Sequence, residues 1–444
     1  MVEVSPELIT ILMFGALLIA ILLGYPLAIA IGGVGMFAGI LFLGPVVFYM
    51  FPLRVLGLMS DYILLAVPLF IFMGTMMEAS GTAERLYGAL YLWLGGLRGG
   101  LAIATILMGT ILAACVGIIA ASTIMMGLIA LPSMIQRGYS RSVATGSVCA
   151  GGTLGILIPP SIMLVLYGPM ASLSVGKLLM GAFMPGLLLS SLYVGYIAIR
   201  CTIRPQDGPP MPPEDRAMPL LKKLGILFSG LVPPIFIIMA VLGSIFFGVA
   251  APTEAAAVGA LASIILAFSY RRLNLETLTK SMLTTLRITC MAFLIVWGAT
   301  MFTGTFLKLG GGEVVTNLVL ATPGGKWGAF GIIMFVIFIL GMFIDWMGIL
   351  FIMVPIVTPI GGVLGFDPIW FALMVCVNLQ MSFMTPPFAY AIFFVKGISK
   401  PEWEVTTGDI IRGVIPFVGL ILVGLTLCAV FPQIILWLPN LMIK

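Results

Sequence analysis

The apolar stretch GTLGILIPPSIMLVLYG, residues 152–168, has the composition of a membrane helix but carries Pro159 and Pro160 side by side. Proline removes a backbone donor and its ring clashes with the preceding turn, so a continuous α-helix is disfavoured there. In hydrocarbon each unsatisfied backbone group costs several kcal/mol, so irregular backbone is tolerated only where it is buried in protein or lines a cavity. The prolines therefore predict a broken helix that lines a site at membrane depth.

The rest of the chain has the composition of a multi-pass membrane protein. Of its 444 residues, 61% are hydrophobic and 8% are charged, whereas soluble domains have about 25% charged residues. Because the N-terminus MVEVSPELIT lacks the basic region of a signal peptide, we interpret the first apolar run as a retained span. The apolar runs lie at about 8–24, 27–44, 61–79, 100–134, 142–170, 176–200, 224–248, 252–270, 285–308, 327–361, 368–395 and 410–438.

Composition also argues against catalysis. Histidine, the commonest metal ligand and a frequent general base, is absent. The six cysteines show no CxxC spacing, and no GxxxxGK[ST] phosphate loop occurs. We therefore expect no enzyme, no catalytic residues and no ATP binding by this chain.

The two halves of the chain resemble each other. The segment RPQDGPPMPPEDRAMPLLKK at 204–223 is rich in proline and charge and marks a boundary. A shift of about 227 residues places Pro159-Pro160 on Pro386-Pro387, in QMSFMTPPFAYA, and 100–134 on 327–361. We predict a first repeat at 1–203, a cytoplasmic linker at 204–223 and a second repeat at 224–444.

The runs 100–134 and 327–361 are too long for one span and too short for two. Each predicted limb of about 15 residues is roughly 22 Å long, against a hydrocarbon core of about 30 Å. Helical hairpins that enter the membrane partway and return fit better. Their tips are expected near Gly117 and Asp345.

The distribution of basic residues indicates the orientation. With the N-terminus outside, sixteen of the 21 Lys and Arg residues are cytoplasmic, and the remaining five are Arg54, Lys177, Lys308, Lys326 and Lys444. The positive-inside rule favours this arrangement. The predicted fold is an all-α polytopic membrane protein with two inverted-topology repeats, re-entrant hairpins and broken transmembrane helices, an architecture typical of secondary transporters.

Each break is expected to bind ions. A helix ending at the break presents free carbonyls that suit a cation, and a helix beginning there presents N–H groups that suit an anion. Two cation sites made of carbonyls and hydroxyls follow, one per half, and neutral oxygens suit sodium. The hydroxyls of Ser382 and Thr385 are candidate ligands, but equally they can bond back to their own helix.

Other polar residues at membrane depth have two interpretations. Thr153, Asn378 and Gln380 lie near the breaks, where they either contact a substrate or hold helices together. Asp345 is either functional or a cap of the second hairpin's second helix. Glu254, which follows Pro252 at a helix start, is better explained as a cap.

Three runs of sequence resemble the large membrane subunit of the tripartite ATP-independent periplasmic (TRAP) transporters. They are RGYSRSVATG, SVCAGGTLGILIPPS and GVAAPTEAAAVGA, and the resemblance covers essentially the whole chain. It implies an elevator-type transport subunit that pairs with a small four-helix membrane subunit and receives its substrate from a periplasmic binding protein. It also implies sodium-driven uptake of organic acids across the bacterial inner membrane.

The family's sodium ligands fall on two sets of residues in this sequence. The resemblance places one set at Gly341, Thr385 and Phe388 with Ser382 nearby, and the other at Gly155, Ile158 and Pro160. At the first hairpin tip this chain reads ACVGIIAAST where many members have a serine-rich SGS, so the hydroxyl ligands are missing or have moved to Ser122 or Thr123.

The substrate is expected to be a small carboxylate. The second break resembles a branch of the family assigned to mannitol or chloroaromatic compounds, and a 2-oxo or 2-hydroxy acid is our expectation. The alternative function is a stand-alone sodium/carboxylate symporter of related architecture. The candidate substrate-binding residues are Thr153, Ser122, Asp345, Asn378 and Gln380.

Overall fold

The computed structural model describes residues 4–117, 119–212 and 218–442, without the side chains of residues 113–116. All regular secondary structure in these ranges is helical. The α-helices are α1 (Pro6–Leu22), α2 (Leu27–Leu43), α3 (Val47–Met59), α4 (Ala66–Ala79), α5 (Thr82–Leu94), α6 (Gly100–Val116), α7 (Ile119–Gln136), α8 (Arg141–Thr153), α9 (Ile162–Ala171), α10 (Val175–Ile203), α11 (Leu220–Phe246), α12 (Pro252–Ser269), α13 (Leu275–Lys308), α14 (Gly311–Leu320), α15 (Gly325–Gly341), α16 (Trp346–Val363), α17 (Pro368–Ser382), α18 (Tyr390–Ile398), α19 (Thr407–Val430) and α20 (Gln433–Leu441).

The outer surface of this bundle is apolar, as expected for a surface that faces lipid. Within the described ranges, nine helical segments are long and apolar enough to cross a membrane. Large apolar side chains such as Phe37, Phe236 and Phe268 lie mostly exposed on their outer faces, which is costly in water and favourable in hydrocarbon. The predicted all-α polytopic membrane fold is confirmed.

Two helical hairpins occupy the positions expected from the long apolar runs. Helices α6 and α7 meet at Gly117, whose positive φ of 64° suits glycine, and α15 and α16 meet over residues 342–345. The limbs contain 17 or 18 residues, which is about 26 Å of helix and longer than the sequence suggested. Both tips end against other helices inside the bundle, as expected for re-entrant hairpins.

The proline pairs break two helices, as predicted. Helix α8 ends at Thr153 and α9 begins at Ile162, with a short 3-10 turn at Leu154–Ile156 between them. Helix α17 ends at Ser382 and α18 begins at Tyr390. Both Pro–Pro peptide bonds are cis.

The two halves also share their turns. Glycines with positive φ recur 224–229 residues apart, in the pairs Gly24 and Gly248, Gly81 and Gly310, Gly99 and Gly324, and Gly138 and Gly365. These spacings agree with the shift inferred from the proline pairs. The exact domain boundaries at 203 and 223 stay a prediction.

The helices form an inner and an outer group. In the inner group α8 packs against α6, α7 and α19, while α17 packs against α15, α19 and α10. In the outer group α13 packs against α2 and α4, and α12 packs against α4 and α11. Both hairpins belong to the inner group. They also contact helices outside it, since α6 packs against α4 and α5 and α16 packs against α13. The helix breaks therefore lie in the inner group.

The beginning of the linker is fixed to this inner group. Gly208 O accepts a hydrogen bond from Gly99 N at 2.8 Å, and Asp207 O accepts one from Ser140 N at 3.1 Å. The Asp207 carboxylate pairs with the Arg200 guanidinium at 2.9 Å. This part of the proline-rich segment is therefore ordered. It connects the N-terminal ends of α6 and α8 with the C-terminal end of α10.

Candidate functional site at the two helix breaks

The tip of the second hairpin contacts both ends of the second break. Phe388 N, at the far end of the break, donates to Met342 O at 3.2 Å. At the near end, Gly341 lies so close to Ser382 that a Cβ built on the glycine would collide with the Ser382 side chain. Thr385 lies between these points, and its N–H donates to Ser382 O at 3.2 Å. The predicted residues Gly341, Ser382, Thr385 and Phe388 are therefore neighbours.

The oxygens of this group remain available to a cation. Thr385 Oγ1 donates to Met381 O in the last turn of α17 at 2.8 Å, and Ser382 Oγ donates to Phe338 O of α15 at 3.2 Å. Each bond uses the hydroxyl proton and leaves oxygen lone pairs free. In the described part of the chain, the carbonyls of Gly341 and Phe388 accept no hydrogen bond. Two hydroxyls and two carbonyls are the kind of neutral oxygen set that sodium binds.

The first break has a different character. Residues 154–161 are all buried. Ser161 Oγ donates to Ile156 O across the break, and a Cβ on Gly117 would lie 3.2 Å from the Ile162 side chain at the start of α9. The carbonyls of Gly155, Ile158 and Pro160 accept no hydrogen bond from the residues the structure describes. The first predicted set of ligands therefore consists of carbonyls alone.

Two of the candidate substrate-binding residues connect helices at the breaks. Thr153 Oγ1 donates to Ala150 O at 3.0 Å and lies 3.9 Å from the sulfur of Met384, at the second break. Ser122 Oγ lies 3.1 Å from Ile119 O and 3.0 Å from Gly152 O at the end of α8. The two breaks are thus in contact through Thr153, and hairpin one is attached to the first break through Ser122.

Asn378 and Asp345 have structural partners as well. The Asn378 amide donates to Met334 O of α15 at 2.7 Å, which is the helix-joining role weighed from the sequence. Asp345 caps α16, since its carboxylate accepts from Met347 N at 3.4 Å. Glu254 likewise accepts from Ala251 N at 2.8 Å, so its predicted capping role is confirmed. Contact of Asn378 or Asp345 with a substrate stays a prediction.

Gln380 stands apart from the other candidates. Its side chain is fully buried, yet neither its amide nitrogen nor its amide oxygen has a hydrogen-bond partner among the described residues. A buried polar group left without a partner costs about 1–3 kcal/mol. Among the five candidate substrate-binding residues, Gln380 is therefore the one whose whole hydrogen-bonding capacity is left for water or a ligand.

A polar cavity that sequence reasoning missed lies between hairpin one and the outer helices. It has a volume of about 370 Å³ and is bounded by α4, α5, α7 and α13. Its charged lining residues are Glu78, Glu84 and Lys280, and the hydroxyls of Thr75, Ser281 and Thr284 also line it. These residues are distant in sequence, so the one available signal was the presence of charges near the ends of predicted spans.

Comparisons with known proteins identify the family to which this arrangement belongs. The profile of the family described as "Tripartite ATP-independent periplasmic transporter, DctM component" matches residues 14–434. The chain is similar to two proteins named C4-dicarboxylate TRAP transporter large permease protein DctM. The one from Pseudomonas aeruginosa is 32% identical over 382 residues, and the one from Vibrio cholerae is 30% identical over 404 residues. Each alignment covers 86% of this chain and 87% of the relative.

A solved structure has a similar fold. The crystal structure of the Alcanivorax borkumensis YdaH transporter, described as having an unusual topology, superposes with a TM-score of 0.60 over 89% of each chain. The sequence identity is 14%, so this likeness concerns the fold alone.

Proposed function

The chain belongs to the DctM component family of the tripartite ATP-independent periplasmic transporters, and from that premise we propose that it couples uptake of a small organic anion to sodium. It is a multi-pass inner-membrane transport protein and not an enzyme. Its family implies a small permease subunit and a periplasmic binding protein as partners. We propose that these are a four-helix membrane subunit and a protein that delivers the anion to this chain.

The observation that carries the sodium proposal is that four residues with neutral oxygens are neighbours at the second break. Ser382 and Thr385 supply hydroxyls, and Gly341 and Phe388 supply carbonyls without hydrogen-bond donors in the described chain. Hard cations favour oxygen ligands. Gly341 fits this role because only a residue without a Cβ allows the hairpin tip to lie this close to Ser382. The carbonyls of Gly155, Ile158 and Pro160 stay candidates for a second ion.

We propose that the anion binds beside the contact between the two breaks. Gln380, four residues before Met384 in the sequence, has an unpartnered amide that offers hydrogen-bond donors and an acceptor, and Thr153 lies at the contact itself. Ser122, Asn378 and Asp345 complete the candidate set. The N-termini of α9 and α18 begin at the breaks and provide N–H groups and positive dipoles that favour a carboxylate.

The cargo class proposed is a small carboxylate, including 2-oxo and 2-hydroxy acids. Two similar large permeases are named for C4-dicarboxylates. We propose that cargo crosses the membrane when the inner helix group moves against the outer group, as an elevator-type mechanism requires.

Uptake by the reconstituted complex tests this proposal. The chain and its small subunit are reconstituted in liposomes, and the binding protein is added. Uptake of a panel of labelled carboxylates is then measured with an inward sodium gradient, with an inward potassium gradient or without a gradient. We expect uptake of at least one carboxylate with inward sodium only, and little uptake without the partners. Uptake independent of sodium would refute the coupling, and full sodium-driven uptake by the single chain would favour the stand-alone symporter.

A further inference from the structure

We propose that Arg85, Arg271 and Arg272 bind the phosphate of an anionic phospholipid whose acyl chain lies along α12. The two segments that carry these arginines are the start of α5 and the turn after α12, and both helices pack against α11. With the predicted orientation, the three arginines face the cytoplasmic leaflet. The proposal uses none of the residues assigned to the ion or to the cargo, so it is independent of the proposed function.

Tyr270 brings the arginines of the two segments together. Its hydroxyl donates to Ser229 O of α11 at 2.7 Å, and Arg85 Cζ lies 4.0 Å from the centroid of its ring. Arg272 is close to the start of α5, because a Cβ built on Gly81 would lie 3.9 Å from Arg272 Nε. Stacking engages the face of a guanidinium and leaves its N–H groups free for other partners. The arginines therefore form one basic corner of the molecule.

The charges of this corner are not neutralised by carboxylates. All three arginines are exposed, and in the part of the chain that the structure describes they form no ion pair. Glu84 borders Gly81 as Arg272 does, and Glu276 lies in the first turn of α13, but neither is paired with an arginine. A guanidinium binds a phosphate through two parallel hydrogen bonds. A phosphate is therefore a partner that fits this corner.

The backbone of Arg271 gives independent support for a role of its side chain. Its φ is 55°, in the left-handed region that favours glycine. The residue 227 positions earlier, at the same place in the first repeat, is Gly44, with a φ of 66°. An arginine at this position has a conformational cost that the first repeat avoids. Such a cost is typical of residues whose side chains have a function.

An exposed apolar row on α12 leads to the same corner. Its residues recur every three or four positions and so share one face of the helix; they are Val258, Leu261, Ile265 and Phe268. From the first to the last of these residues the helix is about 15 Å long, which is half of a hydrocarbon core of about 30 Å. Arg271 follows directly, since its N–H donates to Phe268 O at 2.9 Å. The row is thus as deep as one leaflet, and a ligand with both an acyl chain and a phosphate fits it better than free phosphate does.

Retention of lipid by the purified complex tests this proposal. The complex in detergent is titrated with phosphatidylglycerol or with phosphatidylcholine of the same acyl chains, and bound lipid is measured by native mass spectrometry. We expect the wild type to retain phosphatidylglycerol in preference to phosphatidylcholine. Phosphatidylglycerol should bind about 5-fold more weakly to Arg271→Gly and about 30-fold more weakly to Arg271→Gly combined with Arg85→Gln, as for one and two basic residues near an anionic surface.

Two controls separate lipid binding from folding and from net charge. Glycine suits the positive φ at position 271, so Arg271→Gly should unfold at the wild-type temperature or above it in detergent without added lipid. Arg412→Gln removes an exposed arginine at the start of α19, beside Asp409, and should bind phosphatidylglycerol as the wild type does. If the variant with Arg85→Gln does not fold, Arg272→Gln replaces that change with the same expected direction.

Several results would overturn the proposal and leave the proposed function intact. One is equal retention of the two lipids by the wild type, and another is unchanged phosphatidylglycerol binding in the double variant. Displacement of phosphatidylglycerol by an equal concentration of inorganic phosphate would show a site for free anions instead of lipid. A helix of the small subunit over Phe268 in a map of the complex would place protein where the proposal places an acyl chain.

Discussion

Replacing Gly341 by alanine is expected to weaken sodium binding strongly. A Cβ at this position collides with both Oγ and Cβ of Ser382 and lies 3.3 Å from Ile349 Cδ1. Ser382 Cβ is fixed to its backbone, so rotation of the side chain cannot relieve the collision. The end of α15 must instead move away from the end of α17, which separates the carbonyl of Gly341 from the Thr385 hydroxyl.

The size of the effect follows from the cost of overpacking. Adding a methyl group to a well-packed position costs about 1–3 kcal/mol. If this cost falls on the sodium-bound arrangement, the apparent sodium affinity decreases by about 5- to 150-fold. Gly341→Val, with two further methyl groups at the same place, is expected to be more severe.

Sodium dependence of uptake in proteoliposomes containing the full complex measures this effect. The matched control is Gly331→Ala, because Gly331 lies in the same helix and a Cβ there meets nothing within 4 Å. The control should keep the wild-type sodium curve and a thermal stability equal to or above that of the wild type, since alanine favours helix. A wild-type sodium curve for Gly341→Ala would refute the argument that the hairpin tip forms part of the ion site.

Two further predictions concern topology and cargo binding. In a background with the exposed Cys290 replaced, Gln206→Cys should react with an impermeant thiol reagent from the cytoplasmic side only, and reaction from the periplasm would contradict the inverted-repeat orientation. Gln380→Leu removes two buried unpartnered groups, so it should raise the free energy of unfolding by about 1–3 kcal/mol while raising the KM for cargo. Unchanged uptake kinetics in Gln380→Leu would show that the amide does not contact the cargo.

Much of the fold was predictable because its strongest signals are local. Adjacent prolines disfavour a continuous helix, and both breaks occur where Pro159-Pro160 and Pro386-Pro387 lie. Pro233-Pro234 lie inside the continuous helix α11, so a proline pair alone does not determine a break. The hairpins followed from comparing the length of an apolar run with the thickness of a membrane. The limbs are longer than expected because helix continues into flanking residues such as Gly325 and Val363, which hydropathy alone did not include.

The site was less predictable because its properties depend on tertiary contacts. Asn378 and Gln380 are both buried amides two residues apart, yet one donates to Met334 O and the other has no partner in the described chain. No sequence pattern distinguishes them, since the difference lies in which neighbouring helix each side chain meets. The cavity near Lys280 was missed for the same reason, because four helices form it.

The most direct test of this account compares two cryo-EM maps of the complete complex. One sample is prepared in a buffer that contains sodium, and the other in the same buffer with choline in place of sodium. We predict density for an ion that contacts Gly341 O, Thr385 Oγ1 and Phe388 O in sodium, and its absence in choline. Continuous protein density with no ion at the second break in sodium, in a complex whose uptake requires sodium, would contradict the account.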